Sequence, residues 1–517
     1  MTLVSLFCKI FSILLYASIC GEICFFFSWA NLCGCLMTWI VWRVFSNFFF
    51  KAEIIGKYPF AFMMYLSMFF YRFLPLPVTL LEGKPITYGL QLPYHTFILE
   101  TFLFLVSSLA FYFSFSKRKT NNWLQNLLRK VGFFQRYSEG VIWGLAFVGL
   151  FSRIITFSVG EIAYGDVSNK FLSGLTYLMY SPFILLNPDL FYANHNVNRR
   201  SIIIWGYLIC IFIIGISSNS RQGMIAPIAL LLLLYFLWLC KSVKAWAFHL
   251  SPLKITVIGV LGYILIGVLG DFSIAMLYNR KIRSEVSKSE LLQRTWDTYQ
   301  NEALMSSLRN TQEQLANQTY LKSYDHGWDE TYVDNFMLNR YCNIRITDQT
   351  LYYALRLDEQ GKEIMQKDFL DRIWLTLPTS VLRLLGSNLN KNDYEFSRGD
   401  LLFATAEKTS VFPGYRVTSH LGDGIATFGY FYYVIQFVFW ILVFKLLNTF
   451  VYYAKHEIVY SLFGLISLFT FLGMFRNANG CSSDIGFLIR GYWQGVVTFL
   501  IVSFIVKLIY NLIRGIK

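Results

Sequence analysis

Charged residues are scarce: Asp, Glu, Lys and Arg make up 15% of the 517 positions, where a soluble globular domain carries about a quarter. That shortage excludes a soluble enzyme and a disordered chain, and the composition excludes a collagen-like one. Acidic residues are the scarcer kind, 31 against 45 Lys and Arg, for a net charge of +14. The excess does not mark a nucleic-acid binder, because the basic residues punctuate apolar runs instead of forming one patch. Of nine cysteines, all but Cys342 and Cys481 lie in or beside apolar runs, where Cys behaves as a small hydrophobe. A disulfide framework is excluded, and a single bridge is not predicted. No Cys/His spacing suits a metal. Internal repeats and low-complexity tracts are lacking too, as are the paired, broken spans in matching halves of an inverted-repeat transporter.

What is present is apolar: 55% hydrophobic and 19% aromatic residues, with a mean hydropathy of +0.47. The expected class is an all-α polytopic membrane protein. About 20 mostly apolar residues make a span. The pattern predicts about twelve, near 3–20, 23–43, 59–80, 95–116, 140–158, 171–187, 201–217, 223–240, 254–270, 425–447, 457–475 and 486–507. The first lacks a small-residue cleavage site and is expected to be retained. The chain divides into a bundle of about nine helices (1–270), a polar segment (271–424) and a bundle of about three (425–517). The polar segment holds 18 Lys/Arg and 21 Asp/Glu, so the excess positive charge belongs to the membrane part.

Basic residues concentrate in alternate loops. Arg43, Lys51 and Lys57 fall in one, Lys117 to Arg136 in the next, then Arg199/Arg200, Lys241/Lys244/Lys254, Lys445/Lys455 and Lys507/Arg514/Lys517. The loops between them carry about one each: Lys84, Lys170, Arg221 and Arg476. By the positive-inside rule both termini are expected in the cytoplasm and segment 271–424 outside. Segment 120–136 puts Trp123, Leu124, Leu127, Leu128, Val131 and Phe134 on one helical face, which suits the inner membrane surface. Ser284–Tyr320 has helical spacing, and Leu370–Leu385 is apolar enough to pack on the membrane or on the bundle. The aromatic residues Tyr324, Trp328, Tyr332, Tyr352 and Tyr353 read either as sugar-stacking platforms or, preferably, as the segment's own core.

Three clusters fall on the same membrane face. In Ser217–Gly223, Arg221 stands at a helix N-terminus, where free N–H groups favour an anion and a guanidinium adds bidentate phosphate geometry; the alternative is an interfacial Arg in a tight turn. In Pro413–Gly424, Arg416 precedes His420 at the mouth of the tenth span. Its imidazole can take a proton from a hydroxyl near neutral pH. Asp423 could be the base instead, or could orient His420. The third cluster is Arg476, Asp484 and Arg490, whose alternative is an Arg–Asp pair stabilising a turn. Arg72, Arg153 and Glu100 add charges inside spans, which suggests a cationic, water-accessible cavity rather than isolated snorkelling.

These features resemble the Wzy-type O-antigen (oligosaccharide repeat-unit) polymerases, and somewhat the O-antigen ligases. The resemblance rests on the plan of spans with one large late loop, on Ser220-Arg221-Gln222-Gly223, on His420 followed by Leu-Gly-Asp-Gly and Phe428-Gly429, and on Phe475-Arg476. It implies a GT-C-like glycosyltransferase of the bacterial inner membrane, with the large loop periplasmic and mainly helical. Such an enzyme transfers undecaprenyl-pyrophosphate-linked glycan en bloc, with inversion, and needs no metal or other cofactor. Arg221 would bind the pyrophosphate, His420 would be the base, and by charge chemistry Arg416, Arg476 and Arg490 would join Arg221. A chain-length regulator and a flippase are implied as partners beside the membrane lipid and the lipid-linked glycan. The rival readings are an O-antigen ligase, a lipid-linked oligosaccharide flippase and a non-catalytic scaffold.

Overall fold

The computed structural model describes residues 3–116, 120–158, 171–192, 201–217, 221–241, 267–268, 270–282, 286–309, 324, 327–414, 416–454, 457–475 and 479–515. Within them the chain is helical apart from one short hairpin. Seven helices are long and apolar enough to cross a membrane: Val4–Phe26, Trp29–Phe49, Pro93–Phe113, Glu139–Thr156, Gly223–Lys241, His420–Asn448 and Ser482–Arg514. Pro59–Phe73 and Pro75–Leu81, joined at a 47° bend, make an eighth. The chain is thus a multi-pass membrane protein by helix length and hydropathy. Phe171–Leu186 and Ile202–Ser217 are shorter apolar helices, where the sixth and seventh spans were expected. Most of 254–270 lies outside the described residues.

Proline sets several boundaries. Pro59, Pro75 and Pro93 each open a helix, where the missing N–H has no intrahelical acceptor to lose. Pro75 also explains the bend, because it cannot continue the ladder of the helix before it.

Two expected spans differ from their expected form. Segment 457–475 is not one helix. It begins in the hairpin of Val451–Tyr453 with Ile458–Tyr460, paired Val451↔Tyr460, and continues as Leu462–Ile466 and Leu468–Leu472. The segment still ascends alongside Pro59–Phe73: Tyr460 donates to the Gly56 carbonyl at 2.7 Å and Ser67 to the Phe475 carbonyl at 2.8 Å. Ser461 caps the first piece by accepting the Gly464 N–H.

The tenth span is the second. His420–Asn448 is continuous in hydropathy, yet the rings of His420 and Trp440 lie 6.3 Å apart. A straight helix would separate residues 20 apart by about 30 Å. The chain therefore reverses, and the break falls at Gly429, whose φ of 58° and ψ of −150° suit glycine. His420–Phe428 folds back on Tyr432–Asn448, which makes the crossing. His420 is consequently not at a mouth but within the bundle.

Trp123–Lys130 is a short amphipathic helix with a capping box between Asn122 and Gln125. Leu124 and Leu128 are buried, while Trp123, Leu127 and Val131 are exposed. Gln125 and Asn121 clasp the hairpin through the Val451 and Tyr453 carbonyls. The apolar face is thereby divided, one edge packed on protein and the other exposed.

Segment 271–424 is pinned to the bundle by Arg345–Leu355, whose first six residues are all buried. Asp348 accepts hydrogen bonds from the N–H groups of Gln91 (2.6 Å) and Leu92 (3.0 Å) and from the hydroxyls of Thr96 and Tyr324. It thereby occupies donors at the start of Pro93–Phe113. Burial pushes its carboxyl above the usual range, partly offset by these donors. Tyr324, Tyr332 and Tyr353 are fully buried, and Tyr332 donates to the Ile86 carbonyl at 2.6 Å. These aromatics belong to the segment's core and its seam with the bundle. Of Ser284–Tyr320, Lys288–Gln300 and 302–309 are helical, and 310–320 lies outside the described residues.

The reversal generates a prediction. Gly429→Ala should destabilise the protein by about 1–3 kcal/mol, the cost of holding a side-chain-bearing residue in a glycine conformation. Gly486→Ala, whose added methyl meets nothing within 4 Å, should leave stability unchanged. Thermal unfolding of the purified variants in detergent compares them, and equal stability of the two would contradict the reversal.

Candidate functional site

The fold-back helix delivers His420 to a buried polar cluster. Ser419 caps the helix by accepting the Gly422 N–H at 2.8 Å and shares a 2.5 Å hydrogen bond with Thr350 of the pinning helix. The Gly-Asp-Gly run then has a packing explanation. A methyl on Gly422 would lie 2.2 Å from the Thr350 hydroxyl, and one on Gly424 would lie 2.2 Å from the Tyr432 ring. Both glycines permit contacts that any side chain would block.

His420 is fully buried. Its ring stacks on Phe475, with centroids 5.0 Å apart and planes at 19°. The guanidinium of Arg72 lies 5.4 Å from the same phenyl centroid. Neither ring nitrogen of His420 has a hydrogen-bond partner among the described residues, and the same holds for the Tyr432 hydroxyl and the Gln436 side-chain oxygen. Buried polar atoms are usually paired, so these unpaired atoms mark the cluster as a candidate site.

Arg72, by contrast, is paired. It meets Glu100 at 2.7 Å with both side chains buried, and it donates to the carbonyls of Glu100 and Met68. Glu100 also accepts from Thr347 at 2.8 Å, and Tyr71 lies 2.9 Å from the Thr347 hydroxyl. A span charge, its counter-charge and the pinning helix thus form one network next to His420.

Asp423 is buried too, but no part of its carboxylate is free. One oxygen receives Arg398 at 2.7 Å and 2.6 Å, and the other receives the Cys481 N–H at 3.0 Å. Arg398 also meets Asp368 at 2.7 Å and donates to Thr427. Burial opposes its charge, but Asp423 and Asp368 outweigh burial and hold its pKa above the ordinary arginine value. The arrangement makes Asp423 an anchor for the fold-back helix. Of the two candidate bases, only His420 has unshared lone-pair capacity.

The remaining candidates are placed differently. Arg416 pairs with Asp400 at 3.0 Å and sits 4.3 Å from the Phe403 ring centroid. Burial alone would raise the Asp400 carboxyl, yet donors from Ser397 and Arg416 hold it below the usual range. Arg490 is exposed and donates to Gln494 at 2.9 Å. Arg153 is half-buried in Glu139–Ser158. The side chain of Arg221, the first residue of Arg221–Lys241, and the whole of Arg476 lie outside the described residues. Asp484 accepts from Gln436 at 2.5 Å, so it belongs with the His420 side of the bundle rather than with Arg490.

Arg398, Asp368 and Thr347 are the members that sequence reasoning missed. Arg398 sits inside a capping box formed by Ser397 and Asp400, a helix-start signal that says nothing about a partner 25 residues away. Among the described residues no group of three or more His, Cys, Asp or Glu is placed to hold a metal ion.

Arg398→Ala leaves the buried Asp423 carboxylate without its cation while Asp368 keeps Arg372 at 2.8 Å, whereas Asp423→Ala leaves Arg398 paired with Asp368. The Arg398 variant should therefore lose more stability, about 3–5 kcal/mol. Thermal or denaturant unfolding ranks the two, and the reverse order would show that Asp368 does not share the charge. Comparison with known proteins adds no constraint: no family model, curated protein or solved structure matches the chain.

Proposed function

We propose that the chain is a GT-C-like glycosyltransferase of the bacterial inner membrane, which polymerises undecaprenyl-pyrophosphate-linked oligosaccharide repeat units by en bloc transfer. In this reading it crosses the membrane about twelve times, both termini are cytoplasmic, and segment 271–424 with the site faces the periplasm. The observation that carries the reading is His420, a buried imidazole with two unpartnered nitrogens beside a paired guanidinium. An ionisable group inside a membrane bundle is retained for function by default, because its burial is costly. The resemblance to the Wzy-type polymerases supplies the substrate class.

The chemistry divides between two needs. A pyrophosphate leaving group needs little acid help, but the charge that grows on it must be neutralised in a low-dielectric site. Arg221, at the start of its helix, takes that role, and the proposal assigns it to Arg476 as well. The acceptor hydroxyl needs a base, and His420 supplies it. One displacement forms the new glycosidic bond at the anomeric carbon, breaks the bond to pyrophosphate and inverts the configuration. The hydroxyl proton passes to the imidazole. Arg72, neutralised by Glu100, positions Phe475 and His420 rather than binding phosphate, and Asp423 holds the helix that presents the base.

His420→Gln should fold and insert normally yet lose about 10²–10⁴-fold in polymerisation, the usual worth of a positioned general base. Arg221→Ala should abolish polymer, and Arg221→Lys should restore little. The assay gives purified protein only lipid-linked repeat units and resolves the products on a gel. A ladder identifies a polymerase; its absence with active, folded protein favours a ligase. Near-normal ladders from either variant would remove the role assigned to that residue.

A further inference from the structure

The helix Glu359–Leu375 changes character along its length. Its exposed positions are mixed over the first half, where Glu359, Glu363, Ile364 and Lys367 fall, and apolar over the second, at Leu370 and Trp374. The apolar exposure continues past Pro378, which caps the short helix Thr379–Leu384. Leu370 is 57% exposed, Trp374 49%, Leu384 86% and Leu385 59%, while Leu382 turns inward. No acidic residue occurs between Arg372 and Asp393, and the basic residues in that interval are Arg383 and Lys391. The chain turns at Gly386, whose φ is 74°.

Polar bonds close the neck of this excursion. Lys391 donates to the Leu377 carbonyl at 2.8 Å, Tyr394 to Asp371 at 2.6 Å, and Arg372 to the Phe396 carbonyl at 2.8 Å. The neck is thus hydrogen-bonded and polar, and the tip is apolar with a basic fringe. The level of the tip follows from its neighbours. Glu359–Leu375 packs against Ser482–Gly486, the first turn of the last span. Further along that span Ile489, Trp493 and Val497 face outward, as a lipid-facing surface does.

We propose that Leu370–Leu385 is a membrane-dipping tip, which inserts Trp374, Leu384 and Leu385 into the leaflet on the side of segment 271–424, with Arg383 and Lys391 at the phosphate level. An apolar tip with a cationic fringe, whose one carboxylate, Asp371, is held at the neck by Tyr394, matches a bilayer surface better than it matches water. Its junction with the first turn of a span puts it at the right height. The occupant is lipid, not protein: the bundle does not cover these side chains, although the sequence alone left that alternative open. The inference does not rest on the glycosyltransferase reading, and either can fail without the other.

The test uses full-length protein in phosphatidylethanolamine/phosphatidylglycerol vesicles, in a background where the exposed Cys20, Cys24 and Cys210 are replaced by Ala. An environment-sensitive fluorophore is attached at Leu384→Cys and, as control, at Glu363→Cys. At 384 the emission should shift to the blue and be quenched by nitroxide carried on lipid acyl chains. At 363 it should remain aqueous and be quenched by iodide. Iodide quenching without a blue shift at 384 would overturn the proposal. A blue shift without nitroxide quenching would overturn it as well, since the tip would then be covered by a second copy or by another protein.

Discussion

A buried guanidinium is tolerable only when a carboxylate meets it, and Arg72 and Arg398 each meet one under full or near-full burial. These two pairs organise everything around them. Arg72–Glu100 joins two spans and, through Thr347, recruits the pinning helix. Arg398 joins three parts of the chain by bridging Asp368 and Asp423. Because each charge is useless or costly without its partner, the pairs specify which elements meet more sharply than apolar packing can. Lipid offers no hydrophobic driving force between helices, so polar contacts and close packing decide their association.

Within that frame His420 stands out. The ion pairs around it are matched, while both imidazole nitrogens lie unpartnered among the described residues, as do the Tyr432 hydroxyl and the Gln436 side-chain oxygen. The fold goes to some length to arrange this. It reverses the chain at Gly429, removes side chains at Gly422 and Gly424, and anchors the helix through Asp423. Local stability is given up at one residue and recovered in the network around it, the pattern expected where structure serves chemistry.

The membrane class and most of the spans were legible because a long apolar run is a one-dimensional signal. Within 120–136 the amphipathic helix Trp123–Lys130 was legible from its periodicity. What escaped was contact between distant positions. The hydropathy of 425–447 is uninterrupted, so nothing in it announces that His420–Phe428 doubles back; Gly429 is one glycine among 34. The tenth span was therefore placed too early and His420 too near the surface. Segment 457–475 reads as a span by composition, but Ser461 and Ser467 divide it into short helices. At the site, Arg72, Glu100 and His420 were visible as charges in apolar surroundings. Arg398 was not, since Arg in a polar segment carries no such contrast. Arg490 stood out by that same contrast, yet it lies on an exposed turn, because snorkelling and cavity lining look alike in one dimension.

The proposed membrane tip and the proposed base are mechanically connected by the same ion pairs. Asp368 lies two residues before Leu370 on Glu359–Leu375, and Arg398 links it to Asp423, three residues after His420. Phe369 packs edge-on against Phe428 at the far end of the fold-back helix, with centroids 4.9 Å apart. The helix that would touch lipid is therefore joined at both ends of His420–Phe428 by contacts that cannot slip without exposing a buried charge or opening a packed ring pair. A shift of the tip must either move the base with it or break Arg398 from Asp368 or Asp423. For a reaction whose donor enters from the bilayer, that coupling relates the depth of the lipid surface to the position of the imidazole through two ion pairs, Asp368 with Arg398 and Arg398 with Asp423, each end continued along one helix, to the tip on one side and to His420 on the other.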